Sequence, residues 1–175
     1  MQTARELFIH ELQDMFDAEH RLVPALGEQE QESSRPELQK AFGSHREQTE
    51  NQIERLRQAF EEVGEEPKET ECKGIRGLIE EHEAFKEEDP SEELLDIFNV
   101  GAAIKIENYE INAYESLVKL GRELRFKEAV NLLNQNLKEE QQTLKKMQAF
   151  STKLKPSELG VEEEEQPRRR SRRAA

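Results

Sequence analysis

Apolar side chains recur along this chain with the three-four rhythm of amphipathic helices. Leu12, Met15, Leu22 and Leu26, preceded by Leu7 or Phe8, predict a first helix over residues 4–31. Pro24 falls inside it, where a missing backbone donor favours a kink. Ser33, Ser34 and Arg35 read as a turn, and Pro36 suits the first turn of a new helix. Leu38, Phe42, His45, Thr49, Gln52, Leu56 and Phe60 carry that second helix over 36–62, and Gly64 ends it. A connection over 64–91 follows, with one amphipathic piece at 73–86 marked by Ile75, Leu78, Ile79 and Phe85.

Asp89, Pro90 and Ser91 signal a break and an N-cap. The third long helix is expected over 91–120, with Leu95, Phe98, Ala102, Ile106, Tyr109, Ala113 and Leu117 inward and Gly121 as its C-cap. The fourth is expected over 124–153, with Ala129, Leu133, Leu137, Leu144 and Met147 inward and Pro156 as its stop. No strand-like alternation occurs. Two short turns flank one long crossover, so the pattern predicts two antiparallel hairpins joined by a crossover that contains a short helix. That is an all-α, ferritin-like four-helix bundle over 1–154. Residues 155–175 hold a glutamate run at 162–165 and an arginine-rich end, and they read as a disordered, solvated tail.

Composition narrows the partners. The chain carries 39 Asp and Glu against 26 Lys and Arg, a net charge of −13, which argues against nucleic acid. No run approaches the roughly 18 apolar residues of a membrane span. The first residues lack an apolar leader segment, and the single cysteine, Cys72, excludes an internal disulfide and a cysteine-rich zinc site. A cytoplasmic setting is expected.

Acids on the apolar stripes carry the chemistry, because a polar group facing a core must be paired or metal-bound. Glu19 continues the series 12, 15, 19, 22, 26. His45, Thr49 and Gln52 interrupt the second stripe. Glu107 and Glu110 flank the third, and Glu140 lies on the fourth with Asn136 one turn earlier. Counting outward from each turn sets Glu19 level with Thr49 and Glu107 level with Glu139. Clustered carboxylates in a core must be neutralised by protons or cations. Carboxylate with imidazole suits iron, manganese or zinc. The set Glu19, His45, Glu107, Glu110 and Glu140 therefore reads as a dinuclear, carboxylate-rich site for iron, manganese or zinc, with a hydrogen-bonded polar layer as the alternative. His10, His20 and His82 read as surface histidines, Cys72 as an ordinary thiol, and Tyr109 and Tyr114 as aromatics beside the acids. The ideal pattern wants Glu-x-x-His on two helices. It is missing here, which keeps open a non-catalytic helical interaction protein without a firmly bound metal.

Several segments together resemble the YciF-like stress-associated proteins of the ferritin-like superfamily. They are Glu6 to Asp14 (ELFIHELQD), Ala18 with Glu19, Ala41 to His45 (AFGSH), Gln52 to Leu56 (QIERL), Gly77 to Glu81 (GLIEE), Glu107 to Tyr114 (ENYEINAY) and Leu137 to Glu140 (LKEE). They occur in order over residues 5–153. The resemblance implies a ferritin-like bundle, a homodimer, and a di-metal centre able to meet a small oxidant such as O2 or peroxide. The family's Glu-His-Tyr-Glu motif departs here at Asn108, which removes one candidate imidazole.

Overall fold

Thr3 opens the first helix through a reciprocal cap. Its hydroxyl accepts from the Glu6 amide at 3.1 Å, and the Glu6 carboxylate accepts from the Thr3 amide at 3.0 Å. The computed structural model describes residues 1–68 and 70–155. Five helices result: α1 (Ala4–Glu32), α2 (Pro36–Glu62), α3 (Lys73–Lys86), α4 (Glu92–Glu123) and α5 (Lys127–Lys153). Among the described residues there is no strand, and no helix is long and apolar enough to cross a membrane. The charged tail expected from 155 lies, beyond Lys155, outside the described residues.

The local signals explain most boundaries. α1 continues through Pro24 to Glu32. Pro36 occupies the first turn of α2, and Gly64 takes the left-handed φ of +71° just past its end. Ser91 caps α4 by accepting from the Leu94 amide at 3.3 Å. The turn between α4 and α5 departs from expectation. Gly121 is a buried residue inside α4 and not its C-cap. A Cβ there would stand 2.7 Å from Val130 Cγ2 and 3.2 Å from Phe8 Cε2, so Gly121 leaves room for side chains of α1 and α5 against α4. The left-handed residue of the turn is Arg125, at φ +63°, and α5 starts at Lys127.

Contacts at the helix ends give the directions. Phe8 meets Phe126 and the Gly121 backbone, while Ser34 bonds Asp96, so α1 and α4 run antiparallel. Arg55 bonds Asn136 and Glu139, and α2 packs on α5. With α1–α2 and α4–α5 as hairpins, α2 and α4 run parallel on the diagonal, which is the ferritin-like arrangement.

α3 lies across α1 and α4. The Cys72 amide donates to Asp17 Oδ2 at 2.7 Å. The Tyr109 hydroxyl donates to Asp14 Oδ2 at 3.1 Å, leaving the Cys72 thiol, 3.2 Å away, to donate to the phenol oxygen. Burial pushes the thiol's pKa up. At the other end His82 corrects the sequence reading. It is buried, with Nε2 at 2.7 Å from Glu32 Oε1 and 2.9 Å from Asn99 Oδ1. Glu32 is buried enough to disfavour its charge, yet hydrogen bonds from His82 and Lys86 hold its pKa at about 2.

The core is layered. Phe8, Leu12, Phe60, Leu117 and Leu133 fill one end, and Leu22, Leu26, Leu38, Phe42 and Val100 fill the other. Each such side chain contributes about 1.5–3 kcal/mol by leaving water. Between them lies a polar layer.

Candidate metal centre

Each long helix places its polar side chain in that layer by the same register that buries its apolar neighbours. Glu19 stands one turn beyond Met15 on α1, and His45 one turn beyond Phe42 on α2. Glu107 and Glu110 lie three apart on α4, on one face. Glu140 comes from α5, where the inward line corrects the expected one. Asn136, Glu140 and Thr143 are buried there, while Leu137 and Leu144 are half-buried. The five expected site residues are all buried, His45 being the most exposed at 4%.

His45, Glu107 and Glu140 form the tightest group, offering ligand atoms that all lie within 4.8 Å of one another. His45 Nδ1 is 3.4 Å from Glu107 Oε1, and Nε2 is 3.5 Å from Glu140 Oε2. Glu19 and Glu110 face each other beside this group, outside the 4.8 Å circle. Glu107 likewise faces Glu140, so a hydrogen bond within either carboxyl pair requires a shared proton.

Two oxygens of the quartet are held by protein donors. Tyr114 donates its hydroxyl hydrogen to Glu19 Oε1, and Gln52 Nε2 donates to Glu140 Oε1. The other six, both oxygens of Glu107 and Glu110 with Glu19 Oε2 and Glu140 Oε2, are buried without a hydrogen-bond partner. Thr49 Oγ1 and Gln52 Oε1 are partnerless beside them, and His45 Nδ1 makes no hydrogen bond either. An unsatisfied buried polar group costs about 1–3 kcal/mol, more when charged. Burial, followed by the charge of Glu140, raises the pKa of Glu19 and of Glu107 well above the carboxylate range. Burial, then Glu19, Glu140 and Glu107, does the same to Glu110. Burial and the Glu19 charge raise that of Tyr114.

Around the acids runs a shell that periodicity did not reveal. Arg55 grips Glu139 with two bonds of 2.8 and 2.9 Å and donates to Asn136 Oδ1 at 2.6 Å. The sequence signal for Arg55 was faint: it follows Gln52 by three residues, but arginine at a helix flank reads as solvated. Tyr109 belongs to the α3 clamp instead and bonds no ligand candidate. Asn108 is exposed and donates to the Ile104 carbonyl at 2.6 Å. The loss of histidine at that position therefore removes no group from the core.

Residues 3–159 match the family model described as a domain of unknown function (DUF892). The chain belongs to this family. Among its relatives is the protein YciF of Escherichia coli (strain K12), 38% identical over 144 residues, which cover 82% of this chain and 87% of YciF. The crystal structure of YciF, described as a stress protein, superposes with a TM-score of 0.83 at 35% identity, over 87% of this chain and 96% of that one. The YcfI protein of Rhodopseudomonas palustris gives 0.82 at 34% identity, over 85% and 94%. A Xanthomonas campestris protein at 18% identity and TM-score 0.72 shares the fold. These structures share the ferritin-like bundle of this chain, the one that the hairpin–crossover–hairpin pattern predicts.

Proposed function

We propose that the chain is a ferritin-like metal-binding protein whose core holds a dinuclear, carboxylate-rich centre, with iron as the foremost metal and manganese or zinc as substitutes. The observation that carries this reading is the convergence of six partnerless, buried carboxylate oxygens with an imidazole at mid-bundle. Oxygen and imidazole donors suit these metals, and two divalent cations would balance four carboxylates. His45, Glu107 and Glu140 would hold one ion, and Glu19 with Glu110 the other. A bound ferrous pair would supply two electrons to a small oxidant such as O2 or peroxide. The protein's part is to orient and to exclude water. Tyr114 and Gln52 each hold one oxygen of a ligand and leave its other oxygen turned inward. The apolar layers above and below keep the acids dry, which strengthens their pull on a cation. The description of the Escherichia coli relative as a stress protein supports an oxidative-stress or iron-related role.

Metal analysis of protein purified without chelator and loaded with ferrous iron under anaerobic conditions tests this. Uptake of one to two equivalents is expected, with a fall in melting temperature on chelation, because a ligand bound only to the native state stabilises it. Uptake below half an equivalent of iron, manganese or zinc, with melting unchanged by chelator, would favour a helical interaction protein that keeps the bundle without the metal.

A further inference from the structure

Arg55 stands on α2 one turn beyond Gln52, and its side chain is 16% exposed. A guanidinium can only donate hydrogen bonds. The Asn136 amide must therefore turn its oxygen toward Arg55 and its NH2 toward the core. There Nδ2 donates to the Tyr114 hydroxyl oxygen at 2.9 Å and to the Gln52 backbone carbonyl at 3.3 Å, which uses both amide hydrogens. With its oxygen receiving from Asn136, the phenol sends its one hydrogen to Glu19 Oε1. Each bond's direction follows from the one before, and the first is set by the group that has no acceptor. Glu139 holds that group in place through the two-point grip.

We infer that Arg55 is a positioning residue for Glu19, acting through Asn136 and Tyr114, and that it helps to fix the rotation at which the Glu19 carboxylate faces the centre. Because Oε1 is held by Tyr114, Oε2 is the oxygen presented, and it is the partnerless one. This inference rests on the metal reading above for its consequence, though the chain of bonds exists without it. If Arg55 were absent, the neutral Asn136 amide could reverse, opposed only by its 3.3 Å bond to the Gln52 carbonyl. Its oxygen would then take the phenolic hydrogen away from Glu19 and leave the carboxylate free to turn. Outer groups that orient a ligand typically change metal affinity by about 10–100-fold.

The test is manganese(II) affinity of the full chain by isothermal titration. Arg55→Met is expected to weaken binding by about tenfold or more. Arg55→Lys, which keeps a donor with no acceptor, is expected to restore most of it. Tyr114→Phe should weaken binding similarly, and adding Arg55→Met to Tyr114→Phe should cost nothing further. Equal losses from Arg55→Met in both backgrounds would mean that Arg55 acts by charge at a distance, and would overturn the inference. So would unchanged affinity in Arg55→Met. Arg55→Gln, whose amide can either donate or accept, replaces the methionine variant if that one does not fold.

A second readout needs no metal. The chain has two tyrosines, so ring-carbon NMR of tyrosine-labelled, chelated protein gives two signals, assigned with Tyr114→Phe. Arg55→Met should shift the Tyr114 signal and leave Tyr109 in place. If the wild type takes up neither manganese nor ferrous iron, the metal reading fails, and an unmoved Tyr114 signal would overturn this inference separately.

Discussion

Replacing Glu110 by glutamine isolates the electrostatic state of the core. Glu110 is 1% exposed, and Glu19, Glu140 and Glu107 raise its pKa further after burial has done so. In the metal-free native protein it keeps its proton at pH values where the unfolded chain has lost it. Stability from such a group is complete below the unfolded value of 4.5 and falls as pH rises toward the native pKa. Each proton retained only by the native state makes stability fall by about 1.4 kcal/mol per pH unit. For a domain of this size that is roughly 3–6 °C in melting temperature per unit. Glu110→Gln is permanently neutral and nearly the same shape, so it removes one such proton. Thermal melts in chelator between pH 5 and 7 should therefore show a steeper decline for the wild type than for Glu110→Gln, by up to one proton's worth. The surface carboxylates that make the net charge −13 are common to both and drop out of the difference. With metal the trend should reverse, because ligands must lose protons to bind. Identical slopes in chelator, or a wild-type melting temperature that rises over this range, would refute protonated core acids.

Gly121→Ala places a Cβ 2.7 Å from Val130 Cγ2 and should cost about 1–3 kcal/mol, read as a lowered denaturation midpoint with unchanged slope. Arg125→Gly removes a non-glycine residue from φ +63° and should stabilise by up to about 1 kcal/mol in the same assay. Glu32, with its pKa at about 2, supports α3 above pH 4.5 and loses that support as pH falls toward 2. Amide exchange in α3 should therefore gain on that of α1 and α4 between pH 5 and 3. Uniform loss of protection across all three helices would contradict a local clamp.

Boundaries with a chemical marker were readable from sequence. Pro36, Gly64 and Ser91 each force the chain into one local geometry, and α2 and α3 run over the expected residues. Gly121 misled because glycine serves two purposes. It permits a left-handed turn, and it also permits close approach, which depends on Phe8, more than a hundred positions away in sequence. The inward line of α5 was displaced because periodicity seeks apolar residues, and here the core itself is polar at mid-helix. Glu140 is legible all the same, because it lies between Leu137 and Leu144, close to the true inward line. His82 could have been read from its spacing to Ile75 and Ile79. Its partners Glu32 and Asn99 come from two other helices, so nothing local announced its burial. Arg55 was invisible for the same reason.

The ligand candidates are divided between the two hairpins: Glu19 and His45 belong to the first, and Glu107, Glu110 and Glu140 to the second. Each hairpin can form from contacts close in sequence, and the first brings only one of the four acids. Repulsion among all four arises when the hairpins dock across the long crossover, a step that also closes the largest loop in the chain. Three of them already meet when α4 and α5 pair, so the electrostatic barrier falls on the second hairpin and on docking, and not on the first hairpin. Whatever neutralises the acids, proton or cation, should speed closure of the second hairpin and the meeting of the halves while leaving the formation of the first untouched.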